Sequence, residues 1–329
     1  MRAAVVDRAG FSIHADLPIP AVAENEVLIR VLGCGMCGSD LHVFERDPNY
    51  TWVEDRFPLI MGHEIVGCRV PVGGDESEAS PSRVVVRPRA GQREDGSPVR
   101  IGWDRAGGFA EYVSVPSDCV YDLPADLDVE SASLCEPLAV AVSALRRSGL
   151  RPRFGPDLRA QVVGMGAVGA LAACVLAAEG CADVEIVGTE RDRRLGSFEV
   201  LAGLGLSPVL PEAASSGQEL VVNAAGSAEA YAAGVQRLAR GGTLLNIALG
   251  LGEVSLDADL LTRNEHSIVS TYGSRAVDWE TATGYLSSGA IRPRSIISHT
   301  VPLEELVAGF ELLQRGEARK VFVDMVEKG

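Results

Sequence analysis

The sequence predicts an α/β protein of two domains, one rich in strands and one built as a doubly wound parallel sheet. Three observations carry that expectation. The chain has 329 residues, enough for two cores of ordinary size. After Pro124, apolar patterns of strand length and helix length alternate, as in a parallel sheet with helices on both faces. Within that alternation stands Gly164-Met165-Gly166-Ala167-Val168-Gly169, directly after a strand pattern and at the start of a helical one.

Residues 1–125 read as strands and loops. Val27–Leu32 and Arg83–Val86 are β-branched runs bounded by Gly, Pro or charge, and no helical period dominates there. The polar block 87–108 reads as an exposed loop. A helix-length apolar segment covers 129–148. Strands are then expected at Gln161–Val163, Val184–Val187, Glu219–Ala224 and Thr243–Ala248. The helices between them are expected at Ala170–Glu179, Arg194–Leu204 and Ala228–Leu238. The tail offers a strand at Ile296–Val301, a helix at Leu303–Leu313 and a strand at Lys320–Val326.

Composition narrows the function. A net charge of −15 argues against nucleic acid or an anionic membrane as partner. No apolar run is long enough to span a bilayer, and the charged N-terminus does not read as a signal peptide. Seven Cys scattered from Cys34 to Cys181 suit a reducing cytoplasm better than a secreted disulfide scaffold.

The glycine run has the residues a bound pyrophosphate needs. Gly164 permits the tight turn, Gly166 lets the phosphates approach the backbone, and Gly169 lets helix and strand pack. Val168, within the same run, belongs to the candidate cofactor contact, and the helix that follows offers N-terminal N–H groups and a dipole that favour an anion. Glu190 follows Gly169 by 21 residues, at the end of the next strand pattern, where a carboxylate accepts from the adenosine ribose hydroxyls and repels a 2′-phosphate. That favours NAD. Arg191, Arg193 and Arg194 follow at once and could bind such a phosphate, so NADP stays open.

Two further clusters have metal-ligand chemistry: Cys37-Gly38-Ser39-Asp40-Leu41-His42 and Gly62-His63-Glu64, both expected at loops or strand ends. A thiolate, an imidazole and a carboxylate suit zinc, and three protein ligands leave a position for a water or an alcohol. Cys34 and Cys37 form C-x-x-C, but no second pair completes a four-Cys site. Without a clear helix N-terminus the redox reading also lacks support, so Cys34 reads as a buried small residue. Glu136, before Pro137, fits simple charge complementation of a helix start, but an acid entering an otherwise apolar stretch suggests more.

Taken together, Cys37-Gly-Ser-Asp with His42, Gly62-His63-Glu64, Glu136-Pro137-Leu138 and the Gly164–Gly169 run resemble the zinc-dependent medium-chain dehydrogenase/reductase family. Gly107-Gly108-Phe109-Ala110-Glu111-Tyr112, Gly241-Gly242-Thr243 and Lys320-Val321-Phe322-Val323 extend the match along the chain, and Glu136-Pro137 is most like the polyol and threonine branch. The resemblance implies a GroES-like β-domain over 1–137, completed by 276–329, and a Rossmann domain over 138–275. It implies Cys37, His63 and Glu64 as zinc ligands, with Glu136 as a fourth ligand or just beyond. The resemblance also implies that Glu64 and the acid near 136 would exchange places on the metal. Ser39 would take the substrate proton and pass it through the cofactor ribose to His42, while Asp40 would orient the loop.

The implied activity is hydride transfer between NAD and a secondary alcohol on a polyol, sugar, cyclitol or hydroxy amino acid. A small-molecule alcohol or ketone is the expected partner, and a homodimer or homotetramer the expected assembly. Two alternatives are a zinc-free NADPH-dependent reductase of the same superfamily and a non-catalytic dinucleotide-binding protein. Two departures stand out. Residues 87–108 lack the four Cys that hold a structural zinc in many relatives, so one catalytic zinc is expected. Ser143 stands where a His is common.

Overall fold

A computed structural model describes residues 1–71 and 83–326. The chain divides into two compact units, Met1–Glu136 with Ile297–Gly329, and Pro137–Ile296.

The first unit opens with β1 (Ala3–Asp7) and β2 (Gly10–His14), an antiparallel hairpin that β4 (Leu59–Ile60) extends to three strands. Its larger sheet is organised around β3 (Glu26–Gly35), ten residues long. β5 (Glu64–Val70) runs antiparallel along one edge of β3 and leads to β6 (Arg83–Val86). β7 (Tyr112–Pro116) pairs with the first half of β3, and β8 (Val120–Leu123) pairs with β6. A short helix, α1 (Gly38–Phe44), follows β3, and α2 (Val129–Ser133) follows β8.

In the second unit, α3 (Cys135–Arg147) contains the boundary, and β9 (Ala160–Val163) opens a parallel sheet. There follow α4 (Ala167–Ala178), β10 (Val184–Val187), α5 (Glu190–Arg194), α6 (Ser197–Gly203) and β11 (Ser207–Val209). β12 (Gln218–Asn223), α7 (Ala228–Gln236), β13 (Leu238–Asn246), α8 (Ala258–Arg263), β14 (Ser267–Ser270) and α9 (Ala276–Ser288) complete it. The strand order is β11-β10-β9-β12-β13-β14, all parallel. Counted within the unit this is 3-2-1-4-5-6, the doubly wound order with its switch point beside β9. β9 is buried along its whole length, and its one polar side chain, Gln161, donates to Glu185 Oε2 at 2.7 Å.

The chain then returns to the first unit as β15 (His299–Pro302), α10 (Leu306–Gln314) and β16 (Val321–Asp324). β16 pairs antiparallel with the second half of β3, Phe322 opposite Gly35 and Asp324 opposite Gly33. Ile29, Val31, Met61, Ile65, Phe109, Phe310, Val321 and Val323 share the core of this unit. Each such side chain contributes about 1.5–3 kcal/mol on burial, so the tail is integral to the sheet.

Several elements differ from the sequence expectation. The single helix over 129–148 is two, α2 and α3, broken at Leu134. The helix over 194–204 is also two, separated at Gly196, which is left-handed with φ +69°. The parallel-sheet unit ends at Ile296 rather than 275, because α9 buries Trp279, Ala282 and Leu286, and its Asp278 pairs with Arg146 of α3 at 2.7 Å. Residues 327–329 of the expected tail lie outside the described residues. Within 87–108, 91 and 92 and 94–96 are exposed as expected, but Ile101, Gly102 and Trp103 are buried. Among the described residues no helix is long and apolar enough to cross a membrane.

Candidate functional site

Three strand ends in the first unit bring the metal-type residues together. β3 leads through Met36 into α1, whose N-cap is Cys37. His63 directly precedes β5, and Glu64, its first residue, pairs with Gly35 of β3. Lys320 directly precedes β16, where Met36 N–H donates to Val321 O at 2.9 Å. One ligand atom each from Cys37, His63 and Glu64 lie within 4.8 Å of one another. Gly35 makes room: a Cβ there would run into the Glu64 carboxylate.

The cluster is buried and charged. His63 is 6% exposed, Glu64 1% and Asp40 0%. Asp40 accepts from the Cys37 N–H at 3.0 Å through Oδ2, while its Oδ1 lies 3.3 Å from His63 Nδ1. The carboxylate thus orients one candidate ligand and closes the helix start beneath another, as acids behind metal-bound histidines do. Burial disfavours the His63 imidazolium, yet Asp40 and Cys37 outweigh burial and raise it well above its ordinary value. Trp103 packs on the imidazole with ring centroids 5.5 Å apart.

Lys320 is the residue whose role sequence reasoning missed. Its Nζ donates to Glu64 Oε1 at 2.6 Å and to Met36 O at 2.7 Å, and lies 2.5 Å from Glu64 Oε2. Burial opposes its charge, but Glu64 foremost, with Cys37 and Glu136, raises it above the usual lysine range. The signal was a lysine entering the apolar run Val321-Phe322-Val323. Glu136, in the first turn of α3, stands outside the 4.8 Å group of donor atoms. It still feels the cluster: burial foremost, with Glu64 and Asp40, raises it to about 7 against the pull of His63 and Lys320.

Cys37 occupies a helix N-cap, which the sequence did not reveal. Its C-x-x-C neighbour Cys34 is 0% exposed, and burial raises that thiol well above the ordinary value, so it is unreactive. Ser39 and His42 lie one turn apart on α1, both partly exposed. His42 Nδ1 is 3.0 Å from Asp47 Oδ2, and its ring stacks on Tyr50 at 4.9 Å.

In the second unit, Gly164 is left-handed with φ +107°, where a Cβ would press on the Ala224–Ala225 peptide. Gly166 is the exposed N-cap of α4, Val168 lies in its first turn, and a Cβ on Gly169 would overlap Gly164 O. These are the three glycine tasks a pyrophosphate loop needs. Glu190 is the exposed first residue of α5, at the end of β10. Its Oε1 accepts from Arg193 at 2.9 Å, and that guanidinium also lies over Phe198. Arg194 is exposed one position on. Ser143, the other departure, is buried and hydrogen-bonds Asp278, so it serves the Arg146–Asp278 pair.

A 3-2-1-4-5-6 parallel sheet with this glycine loop, in one chain with a β-rich unit carrying Cys, His and Glu together, defines an oxidoreductase of the medium-chain dehydrogenase class. The family of alcohol dehydrogenase GroES-like domains matches residues 23–125. L-threonine 3-dehydrogenase of Bacillus subtilis (strain 168) is 30% identical over 341 residues, covering 96% of each chain. Sorbitol dehydrogenase of Homo sapiens is 27% identical, covering 93% of this chain and 90% of the other. The solved structure of 2R,3R-butanediol dehydrogenase from Bacillus subtilis superposes with a TM-score of 0.84 over 99% of both chains at 24% identity. The chain belongs to the medium-chain dehydrogenase/reductase superfamily and is an oxidoreductase.

Proposed function

We propose that the chain is a zinc-dependent, NAD-linked dehydrogenase of secondary alcohols. The observation that carries this reading is the convergence of Cys37, His63 and Glu64 within 4.8 Å. A sulfur, a nitrogen and a carboxylate oxygen match zinc's preferences, and three protein donors leave a position open for catalysis. These three residues would hold zinc, with Glu136 in reach of the same field, and the ion would supply a Lewis acid that lowers the pKa of an alcohol. The zinc-free alternative has no use for such a set.

In this reading a bound nicotinamide would accept the hydride of the alcohol carbon, and the hydroxyl would lose a proton. The proton is the part this chain must manage. Ser39 takes it, and His42, at the partly exposed end of α1, delivers it to solvent. An imidazole can accept a proton at one nitrogen and pass it on, which suits that role. Asp40 holds His63 and Cys37 in place, and Lys320 offsets the negative charge that Glu64 brings into a buried site.

Threonine and sorbitol, named for two relatives, both carry a second polar group beside the reacting alcohol. We extend that to this chain as a polyol, sugar, cyclitol or hydroxy amino acid substrate. Glu190 at the end of β10 favours NAD, and its bond to Arg193 removes one of the three arginines that could hold a 2′-phosphate. The seven cysteines are free thiols, in keeping with a cytoplasmic enzyme. A homodimer or homotetramer is supported by the sheet edge at β14, where Ile268 is 39% exposed, and by nearby Tyr272, 75% exposed.

The test is NAD reduction over a panel of such alcohols, with and without chelator, alongside metal analysis of the purified protein. Turnover requiring stoichiometric zinc is expected. Turnover that survives zinc removal would sink the mechanism.

A further inference from the structure

We propose that Asp47 is a positioning residue that fixes the tautomer of His42, leaving Nε2 as the nitrogen that accepts the relayed proton. The proposal rests on the reading of His42 as the outer group of the proton path.

The geometry is specific. Asp47 Oδ2 lies 3.0 Å from His42 Nδ1. A carboxylate only accepts, so Nδ1 carries the hydrogen and neutral His42 has its lone pair on Nε2. Asp47 is itself held. Its Oδ1 accepts from Asn49 N–H and from Asn49 Nδ2, each at 2.9 Å. Its own N–H donates to His42 O at 2.9 Å, so residue and ring are tied at both backbone and side chain. Arg46, with φ +57°, makes the reversal that returns Asp47 to the helix it has just left. Tyr50 stacks on the ring with an interplanar angle of 15°, which fixes its plane. Asp47 and Tyr50 are the titratable groups these contacts set against the imidazole.

When the proton arrives, an O–H bond of the relay breaks and an Nε2–H bond forms. The imidazolium sits against the Asp47 carboxylate, and the proton leaves to water, since the His42 side chain is 33% exposed. An acid behind a histidine does the same in serine hydrolases, where the amide substitute gives the wrong tautomer.

Here the consequence of Asp47→Asn follows from Asn49. Its two donors retain the amide oxygen at the Oδ1 position, so the amide NH₂ turns to His42. Nδ1 must then accept, and the hydrogen moves to Nε2, the position the relay needs vacant.

The test is nitrogen NMR of the full-length protein labelled at histidine, with His42→Gln to assign the signal. Wild type is expected to show a protonated Nδ1 and a bare Nε2, and Asp47→Asn the reverse. A wild-type ring protonated at Nε2 overturns the proposal without any variant, and an unchanged tautomer in a folded Asp47→Asn overturns it as well. In steady state, kcat is expected to fall about tenfold with the KM for NAD within about twofold. A reversed tautomer with unchanged kcat overturns the role in positioning. If wild type turns over no alcohol, the proposed function fails, while the NMR result still decides the tautomer.

Discussion

At the residue scale, the site is a balance of buried charges, and two substitutions separate its parts. Cys37→Ser removes the softest donor, and zinc content with NAD-linked turnover is expected to fall at least about 100-fold while the fold persists, as elemental analysis and circular dichroism will show. Lys320→Met leaves Glu64 buried beside Cys37 and Glu136 with its principal cation gone, since Lys320 Nζ is 2.6 Å from Glu64 Oε1. Breaking a buried pair on one side costs about 3–5 kcal/mol, so urea unfolding of the apo protein is expected to shift by that much. Lys320→Arg is expected to recover most of it. The candidate ligands were legible because Cys, His and Glu beside glycines are rare and local in sequence. The lysine was not, because its partner is 256 positions away and only the β16–β3 pairing brings the two together.

At the element scale, the lobe from Arg87 to Gly108 shows how a segment without cysteine is cross-linked. The Asp104 side chain is 1% exposed and meets three arginines: Arg93 at 2.7 Å, Arg100 at 2.9 Å and Arg56 at 3.7 Å. Arg100 also lies over Trp52, 4.3 Å from the ring centroid, and Trp52 packs against Trp103. Burial would raise the Asp104 carboxyl, but the Arg100 and Arg93 hydrogen bonds win and lower it to about 2. A carboxyl depressed on folding adds stability above its unfolded value near 4 and loses it as pH falls through about 2. Asp104→Asn is therefore expected to cost about 2 kcal/mol at neutral pH, with the difference from wild type closing as pH approaches 2 in denaturant titrations. The polar composition of 87–108 suggested an exposed loop, because no local pattern tells an arginine facing water from one facing a buried acid. The breaks at Leu134 and Gly196 were missed for a similar reason: periodicity continues across both while the backbone does not.

At the scale of the whole molecule, the parallel sheet was the most legible feature. Buried strands such as Ala160–Val163 are apolar but for a single hydrogen-bonded glutamine, Gln161, and the glycine loop marks the first of them. The return of the chain into the first unit was less so, since β16 is four residues long and its place is set by β3, far away in sequence. Resemblance, rather than periodicity, anticipated it. The sheet ends at β14, whose residues are mostly exposed. Ile268→Lys is expected to yield a smaller species by light scattering at unchanged circular dichroism; an unchanged mass would remove this edge from the assembly.

The Asp104 cross-link also sets what kinds of stress the first unit can survive. A thiol-bound metal clip opens when zinc is scarce or thiols are oxidised. A carboxylate gripped by guanidinium groups responds to neither, and loosens only under strong acid or competing salt. The lobe and the Cys37–His63–Glu64 cluster therefore answer to different chemistries: a metal chelator is expected to act on the cluster alone and to leave the Trp103 wall beside His63 standing.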